Sequence, residues 1–136
     1  MNNTRFATII HILTLLAKYP DQWVSSDWIA GSIAINPVMV RKELGLLQKQ
    51  GWVVSRKGKE GGSMLGVSTC EISLADIFKA VKSTNVLGRK NRCSDTSCAV
   101  GKEINKVLVG LFDETDAMVI NALKHKSLKN FVDQFN

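Results

Sequence analysis

The sequence predicts a mainly α-helical fold with one small β-hairpin, and three observations lead there. Hydrophobic residues recur at helical spacing over long stretches, at Phe6, Ile9, Ile10, Leu13 and Leu16 and again from Val100 to Leu123. Trp52 to Arg56 has strand character and runs into the basic, glycine-rich stretch Lys57-Gly58-Lys59-Glu60-Gly61-Gly62, with Met64 to Val67 as a second strand beyond it. Asn36-Pro37 is a cap followed by proline at a first helical position, where the missing N–H costs nothing, and the basic helix it opens leads straight into the hairpin. A helix followed by a hairpin with a positively charged tip is the layout of a winged helix-turn-helix.

The elements follow in order. Residues 4–18 form a first helix that stops before the turn signal Tyr19-Pro20-Asp21. Ser25 or Ser26 caps a short second helix over about residues 26–33, with Trp28 and Ile29 facing inward. The third helix runs from Pro37 to about Gln50, and Gly51 ends it as a left-handed cap. Ser73 caps a fourth helix from Leu74 to about Lys82, apolar at Leu74, Ile77, Phe78 and Val81. Thr84 to Ser97 is polar, carries Arg89, Lys90 and Arg92, and reads as a mobile loop.

From Ala99 to about Lys124 comes the longest periodic segment, with an apolar stripe at Val100, Ile104, Val107, Leu108, Leu111, Met118, Val119, Ala122 and Leu123. Roughly 25 residues make a helix of about 37 Å, longer than so small a domain needs. Val109, Phe112 and Ile120 add apolar surface off the stripe, so the second face is expected to be covered by another chain. A last short helix starts near Ser127 and presents Leu128, Phe131, Val132 and Phe135. The expected organisation is a winged helix-turn-helix domain over residues 1–83, a sensing loop over 84–98 and a helical dimerisation region over 99–136.

The chain has 136 residues, enough for one domain or one small domain with a helical arm, and its hydrophobic content of 45% argues against disorder. A net charge of +6 and a pI near 9.4 suit a polyanionic partner. Residues 1–66 hold eight Lys/Arg against four Asp/Glu, and residues 67–136 hold ten against eight, so the excess lies mostly in the half with the hairpin. The apolar run Ala7 to Ala17 is interrupted by His11 and Thr14 and is too short to span a bilayer. With no signal peptide visible, a cytoplasmic protein with reduced cysteines and no membrane partner is expected.

On a helical wheel, Val40, Leu44 and Leu47 of the third helix share one face and pack inward, while Val38, Arg41, Lys42, Gly45 and Lys49 share the other. An exposed face with three cations suits a major-groove reader, whose N-terminal part reaches base edges while its C-terminal part follows the backbone. Arg41 is the candidate for base readout, since its fork can bond guanine O6 and N7 together. Lys42 and Lys49 are placed on phosphates. Ser25, Ser26 and Asn36, at helix starts beside that face, join the expected DNA-binding set. Lys57, Gly58 and Lys59 at the hairpin tip meet the next phosphates or the minor groove. A solvated charged face is the alternative for a lone helix, and the adjoining basic hairpin decides against it. A nucleotide-cradling loop would open a helix at once, whereas here a second strand follows.

Ile35-Asn36-Pro37 through Leu44, Leu47, Gly51, Val53, Ser55, Lys57-Gly58, Gly61-Gly62 and Glu71-Ile72-Ser73-Leu74-Ala75-Asp76-Ile77 resembles the Rrf2 family of bacterial winged-helix repressors, which includes the IscR, NsrR and CymR types. The resemblance extends to Arg5 and Phe6, the long helix and Ser127-Leu128. It implies a homodimer held by the long helix, a palindromic double-stranded DNA operator, and sensing around residues 84–104. The chain departs from the family where a Pro-Gly-Gly-Gly string and Tyr are common, having Lys59-Glu60-Gly61-Gly62-Ser63 instead, and where an aromatic often stands early in the recognition helix, having Met39. Cluster-binding members carry three cysteines in the sensing loop; this loop has Cys93 and Cys98, matching the second and third.

Two cysteines fall short of a cluster's ligand set, and neither histidine has zinc spacing to them, so no cofactor and no metal is expected. Cys98 at a helix N-terminus, beside a basic loop, is placed to favour thiolate, which makes Cys93 and Cys98 the candidate redox-sensing pair. Cys70 reads as a small hydrophobe near a strand end, and His11 as a satisfied core or interface histidine. Asp113, Glu114 and Asp116 read as a solvated acidic face. Nothing supports catalysis. Two functions compete: a DNA-binding transcriptional regulator, which is favoured, and a winged-helix protein–protein module whose basic face binds an acidic partner.

Overall fold

The computed structural model describes residues 4–92 and 95–135. Helices α1 (Arg5–Lys18), α2 (Ser26–Ile33) and α3 (Pro37–Lys49) are followed by the hairpin strands β1 (Val53–Arg56) and β2 (Gly62–Leu65), a single 3-10 turn (Thr69–Glu71), α4 (Leu74–Val81), α5 (Ala99–Leu123) and α6 (Leu128–Val132). A mainly helical fold with one antiparallel hairpin is what the sequence predicts.

Local chemistry sets the helix boundaries. Ser25 Oγ accepts from the Trp28 N–H at 3.1 Å and Asn36 Oδ1 from the Val38 N–H at 2.8 Å, so both candidates act as N-caps, each stabilising its helix by about 1 kcal/mol. Ser73 with Asp76, and Ser127 with Asn130, form reciprocal capping boxes for α4 and α6. Gly51, with φ of 79°, turns the chain out of α3 as anticipated.

α1 is the axis of the core. Ile9, Ile12 and Leu13 are fully buried, and the helix touches α2, α4, α6 and β2. Ile29, Val40, Leu47, Ile72, Ile77 and Leu128 close around it, each worth about 1.5–3 kcal/mol of burial. The 73–74 segment is stitched to the start of α6, with the Leu74 N–H donating to the Lys126 carbonyl and the Leu128 N–H to that of Ile72, both at 2.8 Å. The inward face of α2 carries Ile29 and Ala30, whereas Trp28 is 46% exposed, contrary to expectation. Trp28 instead packs edge-to-face on Tyr19. Cys70 is exposed rather than tucked beside a strand.

Glu43 on α3 is buried among these residues, and both its oxygens accept from Arg5 of α1, at 2.8 Å each. Such a carboxylate needs its partner, because a charge left buried without one is costly, while the exposed side of the Arg5 guanidinium stays in solvent.

The hairpin register pairs Val53 with Leu65 and Arg56 with Gly62. Its second strand therefore begins two residues earlier than the expected Met64 to Val67. The cause is a third, one-residue strand: the Val24 N–H donates to the Ser63 carbonyl at 3.0 Å and the Ser63 N–H to that of Val24 at 2.8 Å. This pulls the ladder toward the tip and buries Ser63, whose hydroxyl meets Ser55 Oγ at 2.8 Å. The Val24 strand approaches so closely that a Cβ on Gly62 would lie 2.5 Å from the Val24 carbonyl oxygen, and one on Gly61 would overlap the Arg56 carbonyl. The Gly-Gly pair is thus required by close backbone approach. Arg56 stacks 4.7 Å from the ring centre of Trp23 and donates to the Glu60 carbonyl at 2.8 Å.

α5 packs against α4 through a face containing Phe112 and Asp116, both buried. Of the stripe that the sequence marks, Val100, Val107 and Met118 are about two-thirds exposed at 67%, 66% and 67%, whereas Leu123 packs against the core. Helical periodicity locates two apolar faces without saying which one meets the rest of the chain. Asp113 and Glu114 are solvated as expected, but Asp116 is not. It pairs with Lys82 and accepts from Asn85 Nδ2 at 2.7 Å and from the Val86 N–H at 2.8 Å, pinning the 82–88 segment to α5.

The Lys82 ammonium and these donors hold the Asp116 carboxyl below the usual carboxylate range. A folded-state value below the unfolded one means the contribution to stability is complete above about pH 4 and is lost as pH falls through the depressed value. Urea midpoints of the wild type should therefore fall more steeply below about pH 4 than those of Asp116→Asn, which should already be lower at neutral pH. Gly62→Ala should displace the hairpin from Val24 and cost about 1–3 kcal/mol, read as a lower urea midpoint.

Candidate nucleic-acid interface

α3 divides as the wheel predicts. Val40, Leu44 and Leu47 are buried, while Val38, Arg41, Lys42 and Lys49 are exposed, Val38 at 60%. The inward face fixes the helix, so the outward face keeps a defined direction. A Cβ built on Gly45 meets nothing within 4 Å, so no neighbouring element of the chain requires that glycine. The space beside it is open to a partner's backbone.

The start of α2, the outward face of α3 and the hairpin converge on one cleft of about 610 Å³. Ser25, Ser26, Arg41, Lys57, Gly58 and Lys59 line it, so six of the ten candidate DNA-binding residues are brought together. Arg41 leans toward Ser26, with Nη1 to Oγ at 3.4 Å. Val38, Lys42 and Lys49 lie along α3 outside the cleft, and the Asn36 side chain is occupied by its cap. A chain of hydrogen bonds joins helix to hairpin: Gln48 Nε2 donates to Ser55 Oγ at 2.8 Å, and Ser55 meets Ser63. Sequence reasoning missed Gln48, Arg56, Trp23 and the Arg5–Glu43 pair. The partners of Trp23 and of Glu43 lie more than thirty residues away and that of Gln48 lies across the turn into β1, and only the lone charge at Glu43 on an otherwise apolar face could have signalled one.

Cys98 stands exposed at the N-cap of α5. The N–H groups of Gly101 and Val100 lower its pKa from the ordinary thiol value, since they stabilise the thiolate. A Cβ on Gly101 would come within 2.4 Å of the Asp95 carbonyl oxygen, so the loop folds closely over this helix start. Cys93 lies outside the described residues. Among the described residues no three His, Cys, Asp or Glu side chains gather as a metal group. His11 is half-buried with Nε2 3.1 Å from Ser32 Oγ, a satisfied histidine. Among the described residues no helix is long and apolar enough to cross a membrane.

Comparison with known proteins gives this geometry a context. The family model described as Rrf2, iron-dependent transcriptional regulator, matches residues 2–134. The chain is 37% identical over 130 residues to YwnA of Bacillus subtilis (strain 168), described as an HTH-type transcriptional regulator, covering 96% of each protein. A crystal structure described as that of a DNA-binding protein superposes with a TM-score of 0.73 at 35% identity, covering 93% of this chain and 97% of that one. The fold is also that of CymR, the global cysteine regulator of Bacillus subtilis, with a TM-score of 0.70 at 18% identity over 100% of this chain and 98% of the other. A winged helix-turn-helix with Arg41, Lys57 and Lys59 around one cleft, matched almost end to end by a family of transcriptional regulators rather than enzymes, places this chain in the Rrf2 family.

Proposed function

We propose that the protein is a sequence-specific DNA-binding repressor that acts as a homodimer on a palindromic operator and responds to oxidation at Cys98. The observation that carries the DNA-binding part is the shared cleft of α2, α3 and the wing, with Arg41, Lys57 and Lys59 around it. Arg41 reads a base edge from the N-terminal half of α3. Lys42 and Lys49 follow the phosphate backbone, and Ser25 and Ser26 hold a phosphate at the start of α2. Lys57, Gly58 and Lys59 carry the wing to the neighbouring phosphates or minor groove. The proposed working divisions are the DNA-binding unit over 1–83, the sensing loop over 84–98 and the dimerisation region over 99–136.

Dimerisation is supported by the outward stripe of α5. Val100, Val107, Leu111 and Met118 are exposed large hydrophobics on one long helix, and a twofold partner would cover them. The two α3 helices would then meet half-sites about one helical turn apart or a multiple of it. In the redox step, the Cys98 thiolate attacks peroxide, breaking the O–O bond to give a sulfenic acid and hydroxide. A second thiol, Cys93 or one from the other subunit, displaces water to form a disulfide. The sulfur is oxidised and the peroxide reduced. Because Cys98 is the N-cap of α5, a new bond there would strain the helix that sets half-site spacing.

Selection of bound sequences from random duplex, run with reduced and oxidised protein, tests the proposal as a whole. Salt-dependent binding with a sequence preference separates it from binding of an acidic protein partner. Arg41→Ala should weaken operator binding by about 1–3 kcal/mol and relax one base pair per half-site, whereas Lys57→Ala and Lys59→Ala should weaken all duplexes alike and flatten the salt dependence. Unchanged binding of Arg41→Ala to operator and scrambled DNA would sink the recognition-helix assignment. Leu111→Glu should convert a dimer to a monomer in light scattering; a wild type that is already monomeric at micromolar concentration overturns the dimer. Cys98→Ser should hold its operator under mild peroxide or hypochlorite that releases the wild type, and an identical response in both would rule this thiol out as the sensor.

A further inference from the structure

A second cleft, of about 520 Å³, lies on the other side of the wing, between it and the turn joining α1 to α2. Tyr19, Trp23 and Trp28 wall it on one side, and Lys59, Glu60 and Gly61 of the wing on the other. Tyr19 and Trp28 stand edge-to-face with ring centres 5.1 Å apart, yet are 41% and 46% exposed. Two large aromatic rings held together and left open to solvent forgo burial that the core would otherwise use. A cavity of this size, with aromatic walls and a few polar groups, falls in the range of small-molecule sites. Lys59 is the cation in the lining and Glu60 the carboxylate, and the Arg56 guanidinium lies on the Trp23 ring, so the Lys59 side of the cleft suits an anion.

The cleft is also wired to the DNA face. Lys59 lines both clefts, and so does Gly61. Trp23 carries the Arg56 guanidinium on its ring, Arg56 holds the Glu60 carbonyl, and the next residue, Val24, is bonded both ways to Ser63. An occupant wedged against Trp23 and Lys59 therefore bears on the wing at its root and at its tip.

We propose that this cleft is an effector site for a small planar arene carboxylate, whose ring packs against Tyr19, Trp23 and Trp28 and whose carboxylate pairs with Lys59. Pairing removes one cation from the DNA face, so the liganded protein binds duplex more weakly and with a shallower salt dependence. The regulatory half rests on the DNA-binding function proposed above; the ligand site itself does not.

The test uses the full chain labelled with ¹⁵N and titrated with 4-hydroxybenzoate in the absence of DNA, with 4-hydroxybenzamide as the neutral match. The three tryptophans give three indole N–H signals. Those of Trp23 and Trp28 should shift saturably, with a dissociation constant on the order of millimolar as suits so small a ligand, while that of Trp52 stays in place. Lys59→Gln, at an exposed position, should weaken the carboxylate about three- to five-fold and leave the amide unchanged. No saturable shift, or equal movement of all three indoles, overturns the site. Equal affinity for carboxylate and amide overturns the assigned ligand charge. Indole shifts with unaltered duplex affinity overturn the coupling to DNA, whereas indole shifts in a protein that binds no duplex overturn the DNA-binding proposal and leave the site standing.

Discussion

The direction in which α3 points depends on the pair between Arg5 and Glu43. Val40, Leu44 and Leu47 hold α3 in the shared core by apolar contact, which is strong but tolerant of rotation and sliding. A buried carboxylate gripped by both arms of a guanidinium at 2.8 Å tolerates neither, because each oxygen must meet its own N–H. α1 in turn touches α2, α4, α6 and the hairpin, so the pair ties the outward face of α3 to the frame of the whole molecule. The charge adds orientation more than stability, since an apolar pair of similar shape would hold α3 to α1 about as firmly.

The wing takes its position from the same frame by a different route. A two-stranded ribbon alone is marginally stable and free to swing. Here Val24 adds one more rung, Gln48 reaches from α3 to Ser55, and Arg56 rests on Trp23. The wing lysines are therefore held at a set distance from Arg41, which is the geometric requirement for contacting neighbouring parts of one duplex. Gly61 and Gly62 serve this arrangement by letting the returning strand pass within contact of Val24 and Arg56, and their role is packing before it is flexibility.

α5 has two apolar faces with different tasks. One meets α4 through Phe112 and binds the 82–88 segment through Asp116. The other leaves a row of large side chains in solvent, a disposition that makes sense for a helix shared between two copies of the chain. Cys98 caps the start of this same helix, so the proposed redox chemistry and the proposed dimer face lie on one element.

Much of this was legible in the amino-acid sequence, because caps, helical periodicity and turn residues act over a few positions. Ser25, Asn36-Pro37, Gly51, Ser73 and Ser127 mark boundaries that the structure keeps, and the wheel of α3 separates buried Leu44 and Leu47 from exposed Arg41 and Lys49. What failed had long-range causes. The start of β2 was misplaced because the Val24 rung comes from another part of the chain, and Trp28 faces out because its ring found Tyr19. Periodicity also could not say that Val100, Val107, Leu111 and Met118 of α5 would stand in solvent, because it cannot tell a face covered by the same chain from one left uncovered. Asp116 looked solvated because its partners, Lys82, Asn85 and Val86, lie some thirty residues away. The sequence by itself determined the elements, their order and the family, through interactions local enough to be written in neighbouring residues. Only the tertiary structure decided which faces meet, where the buried charges find partners and how the wing is held, since those depend on contacts between residues that the chain order keeps far apart.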